Sequence, residues 1–174
     1  MFLAAFGAVW LLLWVHRAVA FRVAGFAAVL LVAAGLLALA YRRYREYRGI
    51  LRAEADSPAR RKAGRVFNIV NALQWIAILV VGNVLANLGL SAWILPAAAF
   101  IIGLHFAPLG RVFDNPTHYV TGSALMLLAV GCSLVLAKQE ASTVVCAGAG
   151  LILWASAAWA LRRQPDGNCN GPVS

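Results

Sequence analysis

The sequence predicts an all-α fold: an integral membrane bundle of six transmembrane helices, one domain over residues 1–163, with both termini cytoplasmic. Three observations lead there. Hydrophobic residues make up 63% of the 174 and charged residues 12%, with a mean hydropathy of +0.80, against roughly 45–50% and about 25% in a soluble domain. The apolar residues fall into six runs near the ~20 residues that carry a helix across a hydrocarbon core of about 30 Å. Lys and Arg gather in alternate connections, the asymmetry that orients membrane proteins.

The first span covers about 1–16 and is short for a crossing, with Trp10 and Trp14 near its far end as interfacial aromatics. The AVA after it mimics a cleavage site, but no positive charge precedes the apolar run, so a retained span is expected rather than a signal peptide. His16, Arg17 and Arg22 make a tight connection to the second span, about 23–41. In the basic stretch that follows, Tyr41, Tyr44 and Tyr47 recur every three residues, and Arg42, Arg45, Arg48 and Arg52 every three or four. Both series predict a helix continuing out of the membrane. Ser57-Pro58 should end it, because the residue before proline resists the helical region, and a new helix should begin near Arg60.

The third span covers about 66–88 and stops at Asn87-Leu88-Gly89; the fourth covers about 91–109. Pro96 falls in the second turn of the fourth, where its ring costs less than at mid-helix. Asn115-Pro116 reads as N-cap and first helical residue of the fifth span, about 116–137. Lys138-Gln139-Glu140 reads as a polar turn, and the sixth span, about 143–161, stops at Arg162-Arg163. Residues 164–174 read as a flexible cytoplasmic tail. No internal repeat stands out.

Nine of the fifteen Lys/Arg residues lie between Arg42 and Arg65; with Arg111, Arg162 and Arg163 they place twelve on one side. Arg17, Arg22 and Lys138 are the other three. The rich side is expected to be cytoplasmic, in an inner (plasma) membrane. Because the net charge of +9 is local, it argues for topology and against a nucleic-acid partner. Arg42, Arg43, Arg45, Arg48 and Arg52 either only fix that topology or also hold anionic lipid headgroups. Cys132, Cys146 and Cys169 show neither CxxC nor metal spacing, so no disulfide is expected.

That topology gives the polar residues a depth. Asn68, Asn71 and Gln74 on the third span, His105 on the fourth, and His118 and Thr121 on the fifth all fall in the inner half, with Arg111 and Asp114 in the turn between. A lone polar group in a bilayer costs several kcal/mol, so these eight are expected to face one another or a vestibule. One reading is a ligand-binding site for a small solute, or for an anion drawn by Arg111 and the free N–H groups where the fifth helix starts. The other is interhelical hydrogen bonding at about 1 kcal/mol or less per residue. Arg111 and Asp114 also read as a loop ion pair.

Metal and catalytic chemistry have less support. His105 and His118 lack HxxxH or HExxH spacing, and Asp114 is the one nearby carboxylate, so no metal is expected. Ser91, Ser123, Ser133, Ser142 and Ser156 stand isolated, without GxSxG. No motif implies a cofactor. At the outer end, Asn83 and Asn87, four apart and level with Trp93, read as a helix-end hydrogen bond with an aromatic belt. Gly122, Ala124 and Gly131 on the fifth span, and Cys146, Gly148, Gly150, Ala155 and Ala158 on the sixth, are small enough to pack these two together or to make a homo-oligomer.

The stretch IIGLHFAPLGRVFDNPTHYVTGSALMLL, with RRKAGRVFNIV before it, resembles a family of small bacterial multi-pass membrane proteins. The shared pattern is GLHFxPLxRxF followed by YxTG. Here it is Gly103, Leu104, His105, Phe106, Pro108, Leu109, Arg111 and Phe113, then Tyr119, Thr121 and Gly122. The likeness covers about the last two thirds of the chain. It implies a bacterial multi-pass membrane protein and names no activity. An acidic residue often stands early in the family's third span, where this chain has Asn68 and Asn71, which weakens any proton relay.

The function expected is a polar binding or transport site facing the cytoplasm. The alternatives are an accessory protein acting through lipid or partner contacts and, third, a membrane-embedded enzyme.

Overall fold

The computed structural model describes residues 2–18, 20–53, 58–113 and 115–162, with side chains described for all of these except 47–53 and 58–60. They form six α-helices: α1 Phe2–Ala18, α2 Arg22–Ala53, α3 Pro58–Asn87, α4 Ile94–Val112, α5 Pro116–Val135 and α6 Lys138–Arg162. A 3₁₀ turn, Ser91–Trp93, leads into α4. Five helices, α2 to α6, are long and apolar enough to cross a membrane. The sixth, α1, has 17 residues, about 25 Å at 1.5 Å per residue.

Local chemistry sets the ends. Helix α3 closes on Gly89 at φ 70°. The Leu90 amide donates to Leu85 O at 2.8 Å and the Gly89 amide to Ala86 O at 3.1 Å, the Schellman pattern in which a left-handed glycine satisfies the last carbonyls. The Asn115 side chain accepts from the Thr117 amide at 3.1 Å with Pro116 first in α5, as expected. The turn expected at Lys138-Gln139-Glu140 is instead the first turn of α6. All three are good helix formers, Glu140 suits the positive helix start, and the chain turns at Leu136, whose backbone is extended. Helix α3 begins at Pro58, two residues before the expected start.

Four helices make the core. α1 lies against α6 and α4 against α5, and α5 and α6 join the pairs. α2 packs on α1 and touches α6, while α3 packs on α4. The buried interior holds Trp10, Ile102, Phe106, Leu125, Val145 and Leu153. Lipid tails are as apolar as leucine, so close packing rather than hydrophobic expulsion holds such helices together. α4 and α5 meet at Gly103 and Gly122. A Cβ on Gly122 would stand 2.6 Å from Gly103 O, and one on Gly103 2.8 Å from Gly122 O. α1 and α6 meet likewise at Gly7 and Gly150, where a Cβ on Gly150 would lie 3.0 Å from Gly7 O. Of the small residues on α5 and α6, Gly148 alone of these glycines serves the α5–α6 contact, under Leu128.

The outward faces are oil. Leu31 of α2 is 73% exposed, Leu79 of α3 61% and Leu127 of α5 74%, more large apolar side chains facing outward than a soluble monomer carries. The molecule is a multi-pass membrane protein. The start of α1 lies beside the first half of α3, through Phe2 and Phe67, and Phe67 meets Phe113 just past α4. The end of the membrane-spanning part of α2 and the end of α6 share a pocket through Arg43 and Arg162. Arg42, Arg43, Arg61, Lys62, Arg65, Arg111 and Arg162 therefore all belong to one end of the bundle, and Arg17, Arg22 and Lys138 to the other.

Candidate functional site

At the basic end a cavity of about 420 Å³ lies between α1, α3, α4 and α5, with Leu153 of α6 also in its lining. Its size falls within the roughly 300–1,000 Å³ usual for small-molecule sites. Phe2 and Phe6 of α1, Phe67 and Trp75 of α3, Phe106 of α4 and Phe113 beyond it supply aromatic walls. Ring contacts run from Phe2 to Phe67 at 6.4 Å, Phe67 to Phe113 at 6.4 Å and Phe6 to Trp75 at 6.2 Å. Among the described residues no Cα of α1 comes within 8 Å of one in α3, so the two helices meet there through side chains.

Four polar side chains join the lining: Asn71 and Gln74 from α3, His105 from α4 and His118 from α5. Phe106 is fixed by burial, and both imidazoles lie against its ring. His118 stacks on it at 5.7 Å and 28°, and His105 meets it edge-on at 5.9 Å. Phe113 closes on His118 at 6.3 Å. The His105 ring lies beside the Val70 backbone of α3, while its Nδ1 is buried with no hydrogen-bond partner among the described residues. Gln74 is 93% buried, being 7% exposed. No hydrogen bond joins any two of these four side chains.

The other sequence-predicted residues part company with them. Asn68 is exposed. Three residues on a helix turn about 300°, so each step of three drifts about 60°, and Asn68 and Gln74 end some 120° apart. Arg111 is exposed and does not line the cavity. Asp114, and with it the expected ion pair, lies outside the described residues, as do residues 163–174. Thr121, one drift step beyond His118, is buried against α6, where its hydroxyl meets Ser156 Oγ at 2.7 Å. Each hydroxyl also reaches its own helix, Thr121 to Thr117 O at 2.9 Å and Ser156 to Ile152 O at 2.8 Å. With one proton apiece, the pair trades an intrahelical bond for the interhelical one.

Ser142 and Ser156 are therefore not isolated, as their sequence context implied. Ser142 Oγ donates to Ala92 O at 3.0 Å, tying α6 to the 3₁₀ turn. Trp154 Nε1 donates to Ala4 O at 3.0 Å, tying α6 to α1. At the outer end Asn83 bonds only its own helix, at Leu79 O. The aromatic wall went unseen in the sequence, although Phe106 and Phe113 stand inside the GLHFxPLxRxF pattern. Phe2 and Phe6 carried no signal, because nothing local brings α1 next to α3.

Two amides and two imidazoles can donate and accept hydrogen bonds but bring no carboxylate. Among the described residues no group of three His, Cys, Asp or Glu side chains could hold a metal, and no serine or cysteine lines the cavity. Cys132 and Cys146 are free thiols, the latter fully buried. Fold and cavity together define a helical multi-pass membrane protein with a small-molecule-sized chamber at its basic end. Comparison with family models, with curated proteins and with solved structures finds no match for the chain.

Proposed function

We propose that this protein sits in the cell inner membrane with its basic end in the cytoplasm and binds or passes a small solute through the cavity at that end. One observation carries the reading: Asn71, Gln74, His105 and His118 share an apolar-walled chamber without hydrogen-bonding one another. Polar side chains that merely join helices find partners, as Thr121, Ser142, Ser156 and Trp154 do. Four that converge without bonding one another keep donors and acceptors, the buried His105 Nδ1 among them, for something else.

The chemistry of the lining favours a neutral, amphipathic solute. Aromatic faces would stack a flat apolar body, and amides and imidazoles would hold a carbonyl, hydroxyl or amide head. The anion reading loses Arg111, which does not reach the chamber, and the Thr117 amide, already bonded to Asn115. The charge asymmetry and the resemblance to small bacterial multi-pass proteins support the membrane and orientation.

The accessory-protein reading draws on α3, which leans on α4 and bares Leu73, Ile76 and Leu79. Native mass spectrometry of gently solubilised protein separates the two. A small-molecule adduct on the wild type that is lost in Gln74→Leu and His105→Phe, with thermal unfolding unchanged, supports the site. No adduct, with both variants changing only stability, leaves the accessory reading.

A further inference from the structure

A second pocket, on the opposite flank of the bundle from the chamber's α3 wall, has a different chemistry. It holds about 590 Å³ between the end of the membrane-spanning part of α2 and the end of α6. Its mouth carries Arg42, Arg43 and Glu46 from α2 and Arg162 from α6; its floor is Leu36, Leu39, Ala158 and Leu161. Both helices turn from apolar to cationic at one height. On α2, Leu36, Leu39, Arg43 and Glu46 follow at three and four residues, one helical face. On α6, Leu161 and Arg162 stand three and four residues after Ala158, again near one face. From Leu36 to Arg43 the helix rises about 10 Å, so oily floor lies directly beneath charged mouth at the end of two membrane-spanning segments.

We propose that this groove is a binding site for one anionic phospholipid, its phosphate held by Arg42 and Arg162 and the upper part of an acyl chain lying on Leu36, Leu39, Ala158 and Leu161. Arginines outnumber the single Glu46, so the mouth stays cationic, and guanidinium forks match phosphate oxygens in charge and geometry. Arg43 already has a partner within the protein, which leaves the phosphate to the other two. Glu46 adds an acceptor for a headgroup hydroxyl, which suits a glycerol headgroup. A soluble phosphate would use the mouth and ignore the floor; the floor is what points to a lipid. Of the five arginines that the sequence offered for headgroups, the fold brings Arg42 and Arg43 to this groove and adds Arg162. Arg45 is not among its lining, and the side chains of Arg48 and Arg52 lie outside those described.

The test is native mass spectrometry of the full chain in mild detergent, titrated with phosphatidylglycerol or phosphatidylcholine. One phosphatidylglycerol should be retained in preference to phosphatidylcholine. Arg42→Gln and Arg162→Gln should each weaken it about fivefold, the equivalent of one basic residue at a membrane surface. Ala158→Trp fills the floor and leaves every charge in place; it should lower retention too, and Leu39→Trp does the same from α2 if the first variant does not fold. Excess glycerol phosphate should not displace the lipid. Equal retention of the two lipids, unchanged retention in the filled-groove variant, or displacement by glycerol phosphate would each overturn the proposal. The first two outcomes mean diffuse attraction to a basic surface, and the third a soluble phosphate ligand.

Discussion

Substituting Gly122 by Ala tests whether the α4–α5 crossing positions the chamber. The added Cβ would lie 2.6 Å from Gly103 O and 2.9 Å from Phe106 Cβ. Reaching the ordinary 3.4 Å means opening the crossing by about 0.8 Å, and neither neighbour is a flexible side-chain tip. Overpacking of this kind costs about 1–3 kcal/mol. The helix gains back about 1 kcal/mol, since alanine is the better helix former. With backbone against backbone the cost should lie in the upper range, for a net loss of about 1–2 kcal/mol. Gly131→Ala is the control on the same helix, with nothing within 4 Å of its Cβ, and should be neutral or gain up to about 1 kcal/mol. Far-UV circular dichroism through an SDS titration in mixed micelles measures both. Because Phe106 also carries the His118 stack, Gly122→Ala should weaken any solute adduct as well. If the two alanine variants shift stability in the same direction and by the same amount, the close crossing is not what sets α4 against α5.

Three further outcomes follow from the geometry. In a double-mutant cycle of Thr121→Val and Ser156→Ala, the coupling should be about 0.6 kcal/mol. It stays small because each hydroxyl can fall back on its own helix at Thr117 O or Ile152 O; a value well above 1.7 kcal/mol would contradict that fallback. Asn115→Ala should cost about 1 kcal/mol by removing the cap on Thr117, while Asn115→Asp should retain most of it; equal losses in thermal unfolding would exclude capping as the cause. Gln74→Leu should leave thermal stability unchanged or raise it by up to about 1 kcal/mol, because it removes a buried amide with no bond to the chamber's other polar side chains. A drop of several kcal/mol would mean that the amide holds the helices together.

Several features were legible in the sequence because neighbours along the chain decide them. Asn115 before Pro116 and Gly89 after Asn87 mark helix ends through bonds within a few residues. The apolar runs predict the helices because a bilayer demands about 20 such residues in a row, and the arginine clusters mark one end of the bundle. The polar turn at Lys138 was misplaced because its residues, though polar, favour helix, and polarity alone does not break one.

Which polar side chains meet was left to tertiary structure. In a soluble helix an apolar stripe tells inside from outside. In these helices the faces toward lipid and toward neighbours are both largely apolar, so an apolar stripe gives no such compass, and a polar stripe at spacing three drifts until Asn68 leaves the group that Gln74 joins. Thr121 follows the same drift away from His118 and finds Ser156 instead. Phe2 and Phe6 reach Phe67 and Trp75 from 65 and 69 residues away in the chain, and only packing put them there. Depth was written locally; azimuth and neighbours came from glycines that let backbones close to within a few ångströms of one another.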